Sequence, residues 1–175
     1  VIPAFRELPA NLPGDCRCIV VDDASPEPVP ERDGVVTVRL DHNIGPAGAR
    51  NRGLAVVDTP FVAFVDSDVS ITDSELLRLA SHLGDPSVAL VAPRVRAASA
   101  PGALAGYERH HSPLDMGAEP ARVAAATRVS YVPAAVIVCR TDAVRAIGGF
   151  DERLRFGEDV DLVWRLVEGG WRCRF

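Results

Sequence analysis

Two acidic turns each follow a short apolar run in this chain: Ile19-Val20-Val21-Asp22-Asp23 and Phe64-Val65-Asp66-Ser67-Asp68. Carboxylates in such a place are costly to bury unpaired, so a cation or a set of hydrogen-bond donors must meet them. Asp66 and Asp68, one residue apart, offer hard oxygen donors of the kind that hold Mg2+ or Mn2+ beside a diphosphate. Isolated pairs of this spacing also do no more than cap a turn. Between the two turns lies Asn43-Ile44-Gly45-Pro46-Ala47-Gly48-Ala49-Arg50-Asn51-Arg52-Gly53. It reads as a helix start rich in N–H donors, with Arg50 and Arg52 as cationic forks suited to phosphate oxygens. Taken alone it is equally a helix entry with solvated arginines. Neither the phosphate-binding loop with its lysine nor the G-x-G-x-x-G fingerprint is present. A third constellation, Gly148-Gly149-Phe150-Asp151-Glu152 and then Gly157-Glu158-Asp159-Val160-Asp161, crowds three acids at another helix start. The helix dipole favours acids there, and one that faces a crevice can also serve as a general base.

The elements that must position these groups follow from the apolar pattern. Strand-length apolar runs at 17–21, 35–40, 61–65, 88–91 and 134–140 alternate with helical segments at 46–57, 73–83, 141–147 and 158–168, and a further strand starts at 171. Proline in the first turn suits the helix at 46. Asp73 is expected near the start of the second helix, and Thr141 or Asp142 as the cap of the third. Continuous apolar strands separated by helices predict an α/β fold with a mainly parallel sheet covered on both faces, and such sheets bind ligands at the carboxyl ends of their strands. From 97 to 128 the pattern weakens, and small residues with Pro101, Pro113 and Pro120 suggest a long excursion over the sheet.

The composition bounds the function. The chain has 175 residues, 47% of them hydrophobic, enough to bury the core of one domain. A net charge of −5 argues against a nucleic-acid partner, because an acidic surface repels the phosphate backbone. No apolar run is long enough for a membrane span. The four cysteines, Cys16, Cys18, Cys139 and Cys173, lack the spacing of a zinc site and read as reduced structural thiols in a cytoplasmic setting. All 19 basic residues are arginine, so any phosphate must be met by guanidinium groups.

In their order, Val1-Ile2-Pro3-Ala4-Phe5-Arg6-Glu7, the Asp22-Asp23 turn, the segment from Asn43 to Gly53, the Asp66-Ser67-Asp68 turn and the Gly149-Phe150-Asp151 to Gly157-Glu158-Asp159 segment resemble the family 2 glycosyltransferases of the GT-A fold. Shorter stretches, Ser112-Pro113-Leu114-Asp115-Met116-Gly117, Tyr131-Val132-Pro133 and Glu158 through Trp164-Arg165-Leu166, resemble the branch of that family that serves the mycofactocin system. The resemblance implies a Rossmann-like, mixed and mainly parallel sheet, with residues 1–175 as a single domain. It also implies an inverting, metal-dependent transfer of a hexose, glucose by the finer resemblance, from a UDP-sugar donor to a hydroxyl of a small-molecule or peptide-derived acceptor.

Carried over residue by residue, the resemblance gives Asp22 or Asp23, with Pro3, Ala4, Phe5 and Glu7, the uracil and ribose. Arg50 falls near the nucleotide or diphosphate. Asp66 and Asp68 hold Mg2+ or Mn2+, and Asp66 and Ser67 belong to the nucleotide-sugar contacts. Asp159 is the catalytic base, with Glu158 and Asp161 supporting it or positioning the acceptor. The chain departs from the pattern at Arg6, where the family usually has Asn, and in the short, proline-marked stretch from 7 to 18 (Pro9, Pro13), too short for the usual first crossover helix. The domain is accordingly expected to be abbreviated at its start and cut short at its end. Two other readings stand beside this one: a cell-wall or polysaccharide acceptor, although the Q-x-x-R-W segment of processive enzymes is absent, and a nucleotide-sugar-binding module without turnover. His110 and His111 read as loop residues, Asp115 as a turn or acceptor-pocket residue, Trp164 and Trp171 as core or rim aromatics, and Tyr131 as a neighbour of the pocket.

Overall fold

The computed structural model describes residues 16–97 and 111–175. Strands form where the sequence is continuously apolar. Strand β1 (Cys18–Asp22) runs parallel to β2 (Val35–Arg39), in a register that sets Asp22 opposite Arg39. A five-stranded sheet carries β3 (Phe61–Val65), β4 (Val88–Val91), β5 (Arg122–Val123), β6 (Val136–Arg140) and β7 (Arg172–Arg174) in the order β3-β6-β4-β7-β5. β4 and β7 are parallel, whereas β6 runs antiparallel to both its neighbours and β5 antiparallel to β7. The α/β architecture and the mixed sheet are as expected. The reversed direction of β6 is not written in its sequence, because a strand buried on both faces reads the same either way.

Both faces of the sheet are covered. In β6, Ile137 and Cys139 join one core, with Phe64, Leu90, Leu162 and Leu166. Val136 and Val138 point the other way, into a second core with Leu79, Leu83, Val88 and Val91. This period-2 division is what a doubly covered strand requires. Helices α1 (Gly45–Ala55), α3 (Thr141–Ala146) and α4 (Glu158–Glu168) contribute to the first core, and α2 (Asp73–Ser81), with the 3-10 turn His82–Gly84, lies over the second. Burial pushes the Cys173 thiol up to about 12, so it serves in the core as an apolar side chain.

Asp73 begins α2 as expected, and two other local expectations are corrected. The cap of α2 is Thr72: its hydroxyl accepts from the Glu75 N–H at 3.3 Å while the Glu75 carboxylate accepts from the Thr72 N–H at 2.9 Å. This reciprocal box satisfies two backbone donors at the helix start. Thr141 lies inside α3, with Arg140 at the cap position and no side-chain cap. Within the stretch read as an excursion, Ala121 and Phe175 exchange backbone hydrogen bonds of 2.8 Å, and β5 adds an edge strand. Two residues are too few to leave a periodic signal. No helix among the described residues is long and apolar enough to cross a membrane.

Candidate active site

Helix α1 begins without a side-chain cap of its own. Asp23, just past the end of β1, supplies one: its carboxylate oxygens accept from the Ile44 N–H at 2.8 Å and the Gly45 N–H at 2.9 Å. These are orphan donors of a helix start, where the dipole favours negative charge. Asp22 is buried at 2% exposure. It accepts from the N–H groups of Ser25 at 2.8 Å and Val29 at 3.1 Å and pairs with Arg39 across the strands. Burial alone would raise its pKa, but the N–H groups of Ser25 and Val29, the Ser25 hydroxyl and Arg39 outweigh burial and bring Asp22 down to about 2. Both carboxylates expected at the nucleotide thus already hold protein donors, and they shape the loop beyond β1 and the entry to α1.

Arg50, one turn into α1, joins the second acidic turn to the third. One terminal nitrogen of its guanidinium donates to Asp66 Oδ1 at 2.7 Å and the other to Glu158 Oε1 at 2.9 Å. The Arg50 and Glu158 side chains are 13% and 12% exposed, and that of Asp66 is 40% exposed. The guanidinium also lies 5.4 Å from the centre of the Phe150 ring, which meets Phe64 edge-on at 5.2 Å. This seat combines ion pairing with a cation–π contact.

A short segment before β6 ties the acids together from the other side. The Asp66 N–H donates to the Ala135 carbonyl at 2.9 Å, and the Ala134 N–H approaches Asp159 Oδ2 at 3.4 Å. The other oxygen of Asp159 accepts from the Val160 N–H at 2.8 Å. Gly157, at φ +77°, turns the chain sharply into α4; a left-handed residue here aims Glu158 and Asp159 back toward the sheet. Asp161 is held elsewhere. Arg165 donates to it from Nε at 2.8 Å and from Nη2 at 2.5 Å, with Nη2 shared with the Gly149 carbonyl and Nη1 given to the Ile147 carbonyl. Its observed partner is therefore scaffold.

Asn51 is the residue that the sequence reading passed over. Its amide oxygen accepts from the Phe150 N–H, and its amide nitrogen donates to the Phe150 carbonyl and to Glu152, each at 2.9 Å. Gly149 packs so closely that a Cβ there would lie 2.5 Å from the Asn51 amide oxygen. An asparagine in mid-helix, where its propensity is poor, was the available signal. A shallow depression of about 410 Å3 lies on this flank, lined by Asn51, Phe150, Glu152 and Arg165 among others, and does not include Asp66 or Asp159.

No group of three metal-ligating side chains occurs among the described residues. The donor set at the second turn is Asp66 Oδ2 with the exposed Asp68, next to exposed Ser67. Two carboxylates fit an ion whose shell is completed by substrate phosphates and water, as Mg2+ commonly is. Pro3, Ala4, Phe5, Glu7 and His110 lie outside the described residues. Asp115 forms a two-pronged pair with Arg94 at 2.7 and 2.8 Å, which holds its carboxyl below the usual range. Trp171 packs on the main core, whereas Trp164 is exposed and donates to the Ser130 carbonyl at 3.0 Å.

This fold and this order of segments are the ones expected of a glycosyltransferase of the GT-A fold. A family model described as Glycosyl transferase family 2 matches residues 2–145, and the chain belongs to that family. It is 50% identical over 179 residues to proteins named pre-mycofactocin glycosyltransferase from two strains of Mycobacterium tuberculosis, covering 98% of this chain and 38% of theirs. The chain therefore spans well under half the length of these relatives. The succinoglycan biosynthesis protein ExoW of Rhizobium meliloti is 42% identical over 99 residues, or 44% of this chain and 31% of that protein. Among solved structures, S. aureus TarS 1-349 in complex with UDP-GlcNAc aligns with a TM-score of 0.63 at 21% identity, over 86% of this chain and 44% of that one. The mannosyltransferase PcManGT from Pyrobaculum calidifontis, in complex with GDP-Man and Mn2+, aligns with a TM-score of 0.61 at 18% identity, over 90% and 44%. At these identities the likeness establishes the fold, and the fold is GT-A.

Proposed function

We propose that this chain carries the donor-binding and base-bearing part of an inverting glycosyltransferase that moves a hexose, glucose in our reading, from a UDP-sugar to a hydroxyl of a pre-mycofactocin-like, peptide-derived acceptor in the cytoplasm. The observation that carries the reading is the bridge made by Arg50, which gathers Asp66 of the D-x-D turn and Glu158, neighbour of Asp159, into one cluster. The relatives named pre-mycofactocin glycosyltransferase support the acceptor class.

The chemistry follows from the groups present. The bond from the anomeric carbon to the β-phosphate oxygen breaks and UDP leaves with the electron pair. The acceptor oxygen attacks from the opposite face and its proton passes to the Asp159 carboxylate, so the anomeric configuration inverts. Mg2+ or Mn2+ held by Asp66 and Asp68 supplies, when bound, positive charge to the departing diphosphate. Arg50 adds a second cation on the donor side, and Ser67 contributes a hydroxyl to the sugar nucleotide. A polysaccharide-type acceptor is the second reading, favoured by the partial likeness to ExoW.

The test is a donor screen with full-length protein. UDP release is followed for UDP-glucose and other nucleotide sugars, with and without a pre-mycofactocin peptide product. The reading expects acceptor-dependent turnover of UDP-glucose. Turnover with oligosaccharide acceptors alone would move the assignment to the second reading, and preference for a GDP-sugar would overturn the donor.

A further inference from the structure

Arg50 divides its fork between two carboxylates, whereas Arg17, Arg39, Arg94, Arg153, Arg165 and Arg174 each spend theirs on one. Arg94 closes on Asp115 with two nitrogens on two oxygens, at 2.7 and 2.8 Å. Arg165 turns two nitrogens on Asp161, and Arg153 does the same on Asp151. A guanidinium fork facing a single carboxylate prefers this double contact. Arg50 instead gives one nitrogen to Asp66 and the other to Glu158. Among the described residues, Asp66 Oδ2 is left without a hydrogen-bond donor, on the side chain that stays 40% exposed.

We propose that Glu158 is a positioning residue for the metal end of the site: by holding one arm of Arg50, it keeps the fork from closing on both oxygens of Asp66 and leaves that carboxylate open to a divalent cation. The inference rests on the reading of Asp66 and Asp68 as the metal pair. Its physical content is competition. Arg50 carries one positive charge shared between two acids, and without Glu158 the whole of it falls on Asp66. The carboxylate would then be neutralised and doubly hydrogen-bonded, as Asp115 is by Arg94, and a poor ligand. Glu158 thereby tunes a metal that it does not touch, from a place next to the proposed base. The donor and acceptor halves of the site become coupled through one guanidinium.

The test is an electron paramagnetic resonance titration of Mn2+ in the presence of saturating UDP, using full-length protein. Glu158→Gln fills the same buried seat but removes the charge, so the guanidinium is drawn to the carboxylate that remains, Asp66, because a charged acceptor binds it more strongly than a neutral amide; a urea midpoint checks the fold. The expected result is Mn2+ affinity weakened about tenfold, the size of a typical coupling between residues in direct contact. In an Arg50→Gln background the same change at Glu158 is expected to have no further effect, because the competitor is gone. Equal Mn2+ affinity in wild type and Glu158→Gln overturns the inference while leaving the metal pair standing. An additive loss in the double variant also overturns it, since Glu158 would then act through space and not through Arg50. Absence of Mn2+ binding by the wild type removes both this inference and the metal reading beneath it.

Discussion

Asn51 grips the backbone of Phe150 at both ends, accepting from its N–H and donating to its carbonyl, each at 2.9 Å, across 99 residues of sequence. The contact fastens α1 to the turn that follows α3, and it fixes the ring over which Arg50 sits.

Asn51→Ala leaves the Phe150 amide groups unsatisfied in a part-buried place, which costs about 1–3 kcal/mol. Gly149→Ala reaches the same contact from the other side, by a clash at 2.5 Å and a side chain forced to φ +75°. Both variants should lower the urea midpoint. Because both act on one contact, the double variant should lose less than the sum; strict additivity would show that the Asn51–Phe150 pair is not the shared cause.

Asp22 gives the chain an acid-sensitive element. Its folded pKa of about 2 lies below the ordinary 3.8, so the folded state binds the proton less readily than the unfolded one. The stabilisation it provides is fully present above about pH 4 and is lost as pH falls toward about pH 2. Asp22→Asn should therefore be less stable than wild type at pH 7, and the gap in urea midpoint should close between these limits. A gap that stays constant from pH 7 to pH 2.5 would rule out the charge of Asp22 as its source.

These two sites show where the sequence was legible and where it was not. The apolar runs at 61–65 and 88–91 and the helix at 158–168 match the observed elements residue for residue, because burial on both faces and glycine stops leave strong local signals. The acids of the D-x-D and Gly157-Glu158-Asp159 segments were visible as types at strand and helix ends. Their partners were not. The bridge through Arg50 spans 108 residues on one arm and 16 on the other, and only the folded chain brings those together. The same holds for Asn51, and for Asp22, whose burial under Ser25, Val29 and Arg39 depends on the course of the following loop.

Asp159→Asn addresses the proton transfer with little change of shape. The amide keeps the size and one accepting oxygen, enough for the shorter contact from the Val160 N–H at the cost of the longer one from Ala134, but it cannot take the acceptor proton. Loss of a general base typically lowers the rate about 10^2–10^4-fold. The expected outcome is that loss in kcat with UDP affinity unchanged by calorimetry, since UDP is proposed to lie on the Asp66 side. Full activity in this variant would remove Asp159 from the role of base.

Asp161 separates a scaffold role from an acceptor role. Its carboxylate engages Arg165, which in turn holds the carbonyls of Ile147 and Gly149, the stretch that carries Phe150 into the site. The pair is an i,i+4 contact with both side chains less than a third exposed, so its loss is felt through geometry more than through charge. Asp161→Ala should lower the urea midpoint and reduce kcat modestly while the KM for the acceptor stays at its wild-type value. Asp161→Asn, which can still accept from Arg165, should recover most of both. If the acceptor KM rises severalfold in Asp161→Ala with no change in the urea midpoint, Asp161 touches the acceptor and Arg165 is not its functional partner.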